Sequence, residues 1–450
     1  MASSRRFPPV DLCAHVAQKL DLHARDAPSL MLALSGGRDS VVLLHVLQTL
    51  CAARGLRLVA THVHHGLSAH ADQWAAFCEA LCQRHAIGFE LARVSVGRER
   101  STSVEAAARH ARYRALAAMA RDAGVPMIVL AHHADDQAET VLLQLARGAG
   151  PQGLAAMPEL RHAEGVAWLR PMLDISRAAI DAYATAHAIT FVDDDSNASP
   201  RFRRNALRQT LAPAMREIAP GYPHTLVRAA ALAGESTMLA DDLAALDARD
   251  AFDGATLARA RLRELPSYRA RNLLRWFLRQ HGCRPPSSAR MAEMLAQLIE
   301  AAPDARVQLV HDGAVIGIHS DRIAVHAAAP PAFDLAWHGE ASLALPHGRL
   351  DFTPHAGAGL RAADDPASCW SVRLRQGGER LTLDPSRPRR MLKSLLREAG
   401  MPTWERDALP LVFCGDALAA VPGIGVDAAY RADARAEGLD VTWHARRRWA

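Results

Sequence analysis

Leu30-Met31-Leu32-Ala33-Leu34-Ser35-Gly36-Gly37-Arg38-Asp39-Ser40 is a short apolar run that stops at two adjacent glycines and passes into a helical pattern. The run Leu30–Leu34 reads as a buried strand. The glycines let the backbone bend tightly and turn its N–H groups inward, while Ser35 and Ser40 add hydroxyl donors at a helix N-terminus. Such a loop is an anion cradle without a lysine. Asp39 inside it would repel bare phosphate, so its presence points to an intervening magnesium ion. A Gly-Gly turn capped by Ser and Asp is the purely structural alternative.

Outward from this loop, strand-like runs recur at Leu56–Val63, Phe89–Val96 and Pro126–Ala131, separated by helical patterns at Val41–Ala53, Ala71–His85 and Val104–Ala123. Strands alternating with helices of this length predict a doubly wound parallel α/β sheet, with any ligand at the carboxyl ends of the strands. Three more helices are expected near Asp135–Ala146, Ser176–His187 and Arg203–Met215. Pro220-Gly221-Tyr222-Pro223 punctuates the chain. Beyond it, Leu239/Leu243/Leu246, Leu273/Leu274/Phe277/Leu278 and Met291/Leu295/Leu298/Ile299 keep helical spacing, and Val307–Val310, Ala314–Ile318 and Ile323–Val325 read as short strands. The expected divisions are a cradle-bearing domain over 1–219, a mostly helical domain over 224–327, a linker of uncertain structure over 328–368, and a small α+β domain over 369–450.

Composition narrows the function classes. The 450 residues are 50% hydrophobic and 22% charged, as in globular domains. No apolar run has the length of a membrane span and the N-terminus lacks a signal-peptide core, which predicts a cytoplasmic protein with no membrane partner. The seven cysteines form no C-x-x-C pair, so neither a disulfide framework nor a four-thiolate site is indicated. Lys19 and Lys393 are the only lysines. That excludes a Walker A loop and argues against a lysine nucleophile. Residues 369–450 hold 14 Lys and Arg against 10 Asp and Glu, most of the chain's formal +5. There Arg373, Arg375, Arg380, Arg387, Arg389, Arg390, Lys393 and Arg397 face only Glu379 and Asp384 before Glu398. They make either a solvated face or a phosphate-backbone surface.

A second group of chemistry-bearing residues is His132-His133-Ala134-Asp135-Asp136-Gln137-Ala138-Glu139-Thr140. Asp135, Asp136 and Glu139 share one face at a helix start, near the carboxyl end of the fourth strand. The string lacks metallohydrolase spacing, and a helix N-terminal box of Asp136 with Glu139 is the structural alternative. Glu105 and Arg109 form an i, i+4 pair after Thr102-Ser103, a capping-box pattern. Arg109 and Arg112, at i, i+3, could instead present two forks to pyrophosphate or a carboxylate.

Ser-Gly-Gly-x-Asp-Ser resembles the PP-loop of the ATP pyrophosphatase superfamily. Four more strings narrow the resemblance: His62-Val63-His64-His65-Gly66-Leu67, Glu105 to Tyr113, His132 to Thr140, and Arg147-Gly148-Ala149-Gly150-Pro151-Gln152-Gly153-Leu154. In order and spacing they are similar to the tRNA(Ile)-lysidine synthetase family, and Arg170-Pro171-Met172-Leu173, Asp195-Ser196-Asn197 and Arg204-Asn205 continue the match. His64 stands where that family has asparagine, and Ser68 where it has arginine.

The resemblance implies ATP and Mg2+ as cofactors, and free L-lysine and tRNA(Ile) with a CAU anticodon as substrates. The reaction it implies is adenylation of the wobble cytidine, followed by displacement of AMP by lysine. It assigns Ser35, Gly36, Gly37, Arg38, Asp39 and Ser40 to the nucleotide, with Asp39 and Asp136 toward magnesium. Asp136 and Glu139 would contact magnesium or the lysine ammonium, with His133 in support. Arg109, Arg112 and Arg204 would neutralise pyrophosphate or the lysine carboxylate. Arg380, Arg389, Arg390, Lys393 and Arg397 would touch tRNA. A tRNA-thiolating relative would be expected to carry cysteine pairs, and a small-molecule amide ligase would not need the arginine-rich end. A tRNA-binding protein with a dead ATP site would not need Asp39, Asp136 and Glu139.

Overall fold

The computed structural model describes residues 11–64, 66, 70–94, 104–192, 203–302, 307–361 and 369–446, with backbone only for 104–106 and 203. Thr102, Ser103, His65, Leu67, Ser68 and Asp195–Asn197 lie outside the described residues, as does the Glu105 side chain. The chain divides into two compact units, Met1–Leu239 and Ala240–Ala450.

The first unit runs α1 (Leu12–His23), β1 (Ser29–Ala33), α2 (Arg38–Arg54), β2 (Arg57–His64), α3 (Ala71–Arg84), β3 (Gly88–Arg93), α4 (Val104–Asp122), β4 (Met127–Val129), α5 (Ala134–Leu145), α6 (Pro151–Leu154), β5 (Leu160–Ala163), β6 (Val166–Leu169) and α7 (Arg177–Ala186). It continues through α8 (Arg203–Ala206), a π-helical turn (Leu207–Leu211) and α9 (Ala212–Ile218) into α10 (Tyr222–Asp247), which extends past the unit boundary. The six-stranded sheet has the order β3-β2-β1-β4-β6-β5 and is parallel except for the β5–β6 hairpin at its edge. Alternation along β1 explains the two covered faces. Leu30 and Leu32 pack into a core with α1, α2, α3 and α7, while Met31 points to the opposite core with α4. Strand order reverses between β1 and β4, so the crevice at their carboxyl ends is the topological switch point where open α/β sheets bind ligands.

The second unit contains β7 (Thr256–Ala258), α11 (Arg259–Glu264), α12 (Ser267–Gln280), α13 (Ser288–Glu300), β8 (Gln308–His311), β9 (Ala314–His319) and β10 (Arg322–Ala327). The apolar faces of α12 and α13 close over a sheet ordered β7-β10-β9-β8. Then follow β11 (Asp334–Ala336), β12 (Ser342–Leu345), β13 (Gly348–Ala356), β14 (Leu360–Arg361), β15 (Trp370–Leu374), β16 (Arg380–Leu381), β17 (Arg390–Met391), α14 (Leu392–Glu398), α15 (Thr403–Ala408), β18 (Pro410–Cys414), β19 (Ala417–Val421), β20 (Gly425–Val426) and β21 (Glu437–Ala445). The stretch read from sequence as a linker thus holds four strands, three of which pair with strands beyond it: β11 with β15, β13 with β21 over its whole length, and β14 with β21. Local alternation hid them because little of β13 is buried beyond Leu350 and Phe352, the latter stacked on Trp337 with ring centroids 4.0 Å apart. Among the described helices, none is long and apolar enough to cross a membrane.

Candidate active site

The first unit positions its loop by backbone continuity. The Leu34 N–H donates to the Thr61 carbonyl at 2.8 Å, and His62 Nδ1 lies 2.9 Å from the Leu34 carbonyl oxygen. Gly36 then turns with φ of +86°, and a Cβ there would come within 3.2 Å of the Cys78 sulfur, so only glycine fits without strain. Ser40 Oγ donates to the Gly37 carbonyl at 2.8 Å and accepts from the Ser35 N–H at 3.2 Å. No side chain caps α2 at Gly37. First-turn N–H groups at such a helix end can therefore meet an anion. Arg38 is turned aside, paired with Asp181 and placed 4.8 Å from the centroid of the Phe191 ring. At the end of β2, His64 Nε2 lies 3.3 Å from Asp72.

The second string arrives beside this loop. His133 Nε2 lies 3.6 Å from Asp39 Oδ2 and 3.4 Å from Asp136 Oδ2. His133, Asp136 and Glu139 are all buried. Asp136 Oδ2 accepts the His133 backbone N–H at 3.1 Å, so the box at the start of α5 pairs His133 with Asp136. This corrects the expected pairing of Asp136 with Glu139, because the helix begins two residues before Asp136 and puts it, not Glu139, at the third position. Burial would raise the Asp39 and Asp136 carboxyls, yet His133 and nearby arginines outweigh it and hold both below the ordinary range. Burial likewise opposes a charge on His133, but Asp136, Asp39 and Asp135 raise its pKa. Glu139 goes the other way: burial raises its carboxyl, with Arg208 opposing.

Three arginines that the sequence reading did not single out complete the group. Arg208 Nη2 donates to Asp136 Oδ1 at 3.0 Å and its Nε to Glu139 Oε1. Arg216 Nη2 donates to Asp135 Oδ1 at 3.0 Å, and Arg177 Nε lies 4.0 Å from Asp39 Oδ1. His133, Asp135, Glu139, Arg177, Arg208, Ala212, Arg216 and Tyr222 line a cavity of about 230 Å3. The only local signal for Arg208 was its position four residues after Arg204, one helical turn on.

Arg109 and Arg112 sit elsewhere in the unit, around a different centre. Both lie against the Tyr113 ring, at 4.9 and 5.8 Å from its centroid, and Arg109 Nη2 donates to the Tyr113 hydroxyl at 3.1 Å. Tyr113 stacks on Trp168, and Arg170 is a further charge beside its hydroxyl. His132 is pushed down to about 3 by burial, with Arg170, Arg109 and Arg112 adding to it against Asp136. Arg204 Nη2 donates to Thr140 Oγ1 at 3.1 Å, on the helix that carries Asp136 and Glu139. In the second unit Arg380, Arg389, Arg390, Lys393 and Arg397 are all exposed on β16, β17, α14 and the turn before them. Arg390 pairs there with Glu398.

Magnesium takes one or two carboxylates and completes its shell with water and substrate phosphate. Asp39 Oδ1 and Glu139 Oε2 are buried oxygens without a hydrogen-bond partner, hard donors that fit such an ion. Among the described residues no group of three or more His, Cys, Asp or Glu could hold a metal without such help.

A family model described as a PP-loop domain matches residues 12–215. A TilS substrate binding domain model matches 257–324, and a TilS substrate C-terminal domain model matches 370–443. A tRNA(Ile)-lysidine synthase of Nitrosomonas europaea is 38% identical over 99% of this chain and 98% of its own. One of Ralstonia nicotianae is 40% identical over 92% of both chains. Among solved structures, the U34-tRNA thiolase NcsA of Methanococcus maripaludis aligns with a TM-score of 0.42 and 16% identity over 49% of this chain and 77% of that one.

Proposed function

The chain belongs to the tRNA(Ile)-lysidine synthase family, and from that premise we propose that it uses ATP to ligate free L-lysine to C2 of the wobble cytidine of tRNA(Ile) with a CAU anticodon. The observation that carries this reading is the meeting of the PP-loop with a buried acid–histidine group at the switch point, with His133 within 3.6 Å of Asp39 and 3.4 Å of Asp136.

In the first step the cytosine O2 attacks the α-phosphorus of ATP and pyrophosphate leaves. In the second the lysine ε-nitrogen attacks C2, the bond from C2 to the AMP oxygen breaks, and the nitrogen sheds a proton. At pH 7 only about one free lysine in a few thousand is unprotonated, since its pKa is near 10.4. The site must therefore bind the ammonium and then accept its proton. Asp136, kept ionised by His133, His132 and Arg208, suits the first task, and Glu139, raised by burial, suits the second. Ser35 to Ser40 would receive the phosphates on backbone N–H groups and hydroxyls. Asp39 and Asp136 would hold magnesium, which when bound neutralises phosphate charge. His133 fixes both carboxylates. Arg109, Arg112 and Arg204 would neutralise pyrophosphate or the lysine carboxylate. Residues 224–327 and 369–450 would bind the tRNA, the latter through Arg380, Arg389, Arg390, Lys393 and Arg397 on its phosphates. Incubation with ATP, radiolabelled lysine and total tRNA tests the reading. Label should enter a single isoleucine isoacceptor, and label in no tRNA or in many would reject it.

A further inference from the structure

Two buried carboxylates side by side need a counter-charge even before any substrate arrives. In this structure Arg208 supplies it. Its guanidinium is split over two partners, Nη2 on Asp136 and Nε on Glu139, instead of closing a two-pronged pair on either one. The match is incomplete, because Glu139 Oε2 stays buried with no hydrogen-bond partner. The arginine is also the outermost member: its side chain is 34% exposed, against 12% for Asp136 and 7% for Glu139. It is carried by the π-helical turn Leu207–Leu211, a rare backbone form that recurs at functional sites. The cavity of about 230 Å3 beside it, lined also by Arg177, Arg216 and Tyr222, leaves room for the guanidinium to withdraw.

Resting on the reading of Asp136 and Glu139 as the cation site, we propose that Arg208 is a displaceable internal cation that occupies the site in the free enzyme and must leave before magnesium or the lysine ammonium can bind. Arg208 supplies the two acids with a counter-charge and holds them in place while the site waits, and it competes with the cation that follows. Cation affinity is therefore lowered by the fraction of molecules in which the guanidinium still sits between the carboxylates. Arg208 is a positioning residue in this scheme, since it acts through Asp136 and Glu139.

The test is equilibrium binding of Mn2+, as a probe for magnesium, and of L-lysine to the full chain. Arg208→Gln removes the charge and should tighten at least one of the two by about tenfold, the effect of freeing a site that is closed about nine-tenths of the time. Tightening of Mn2+ alone identifies the metal as the displacing cation, and tightening of lysine alone identifies the ammonium. For lysine, KM should fall with no rise in kcat. Unchanged or weaker binding of both ligands overturns the proposal, and so does a KM that rises together with a fall in kcat. Should Arg208→Gln fail to fold, Arg208→Lys replaces it. A single ammonium cannot span both carboxylates, so binding should tighten in the same direction by less, and no tightening again overturns the proposal. Glu139→Gln separates the premise from the inference. If it binds Mn2+ and lysine as the unaltered protein does, the carboxylates are not the cation site and the premise fails. If it binds them more weakly while Arg208→Gln brings no gain, only the displacement fails.

Discussion

Arg177, Arg208 and Arg216 each lie within salt-bridge distance of a carboxylate, whereas Arg109, Arg112 and Arg170 gather round the Tyr113 phenol with no carboxylate partner among the described residues. The two groups are linked through one stretch of chain: Arg204, whose charge acts on Arg112, donates to Thr140, and Arg208, one turn later, reaches Asp136 and Glu139 on the same helix α5. Desolvated cations without anions are costly, and burial, joined by neighbouring arginines and opposed by Tyr113, lowers the basicity of Arg112 and Arg170. A balanced group can persist unaided and exchange one cation for another. An unbalanced one is suited to an anion brought by a substrate. The difference separates a cation pocket from an anion pocket within one unit.

The largest expected effect comes from the acidic member that faces the PP-loop. Asp39→Ala should lower ATP-dependent pyrophosphate release by about 10³-fold, the upper range for losing one preorganised electrostatic contact. The thermal midpoint should stay near that of the unaltered protein, because Asp39 lies in the first turn of α2 and its Oδ1 accepts no hydrogen bond. Unchanged turnover would remove the cation pocket from the chemistry.

Glu139→Gln comes next, with an expected loss of about 10²-fold in lysine transfer, the range for a lost general base. The capping explanation no longer competes, since Asp136 holds that position. A fully active Glu139→Gln enzyme would make the paired group purely structural and collapse the contrast with the arginines around Tyr113.

What the sequence made legible divides along the same line. The loop from Leu34 to Ser40, the strands flanking it and the acid string after β4 are local patterns, and each sits on the expected element at the expected end of the sheet. Partners that meet across the fold were not legible. Arg208 meets Glu139 from 69 positions away, and no local periodicity carries such a pairing. The helix expected over Arg203–Met215 is interrupted by the π turn that carries Arg208, a feature with no residue signature of its own. Likewise β11, β13 and β14 find pairing partners at β15 and β21, distant in the chain.

That dependence also decides how the exposed basic surface should be tested. Deleting residues 369–450 would strip β11 and β13 of the strands they pair with, so point changes are the cleaner probe. If Arg389, Arg390 and Lys393 contact tRNA phosphates, changing all three to Ala should reduce the log–log salt slope by about 0.7–0.9 per residue. Arg390 should contribute least because Glu398 already offsets it. Filter binding at two salt concentrations gives the slope. Equal slopes would assign these residues to a solvated face and leave the Tyr113 group as the better candidate for an anion site.

The smallest effect is spectroscopic and bears directly on the unbalanced group. Burial would raise the Tyr113 phenol, but Arg109, Arg170 and Arg112 outweigh it and hold its pKa below the ordinary value. Tyr183, Tyr222 and Tyr430 are all raised, chiefly by burial, so Tyr113 should ionise ahead of them. An alkaline absorbance titration of the folded protein should show an early phenolate step that Tyr113→Phe removes, and Arg109→Gln or Arg170→Gln should move that step to higher pH. The sign for stability follows: the native phenol loses its proton before the unfolded one does. Its contribution is therefore fully present above the unfolded value, near 10, and disappears as pH falls through the lower native value. Pyrophosphate added at fixed pH should act against this, because an anion seated among the arginines offsets the charge that favours the phenolate. An early step unmoved by either arginine change would mean that these cations do not act on the phenol, and the contrast between the two pockets would lose its electrostatic basis.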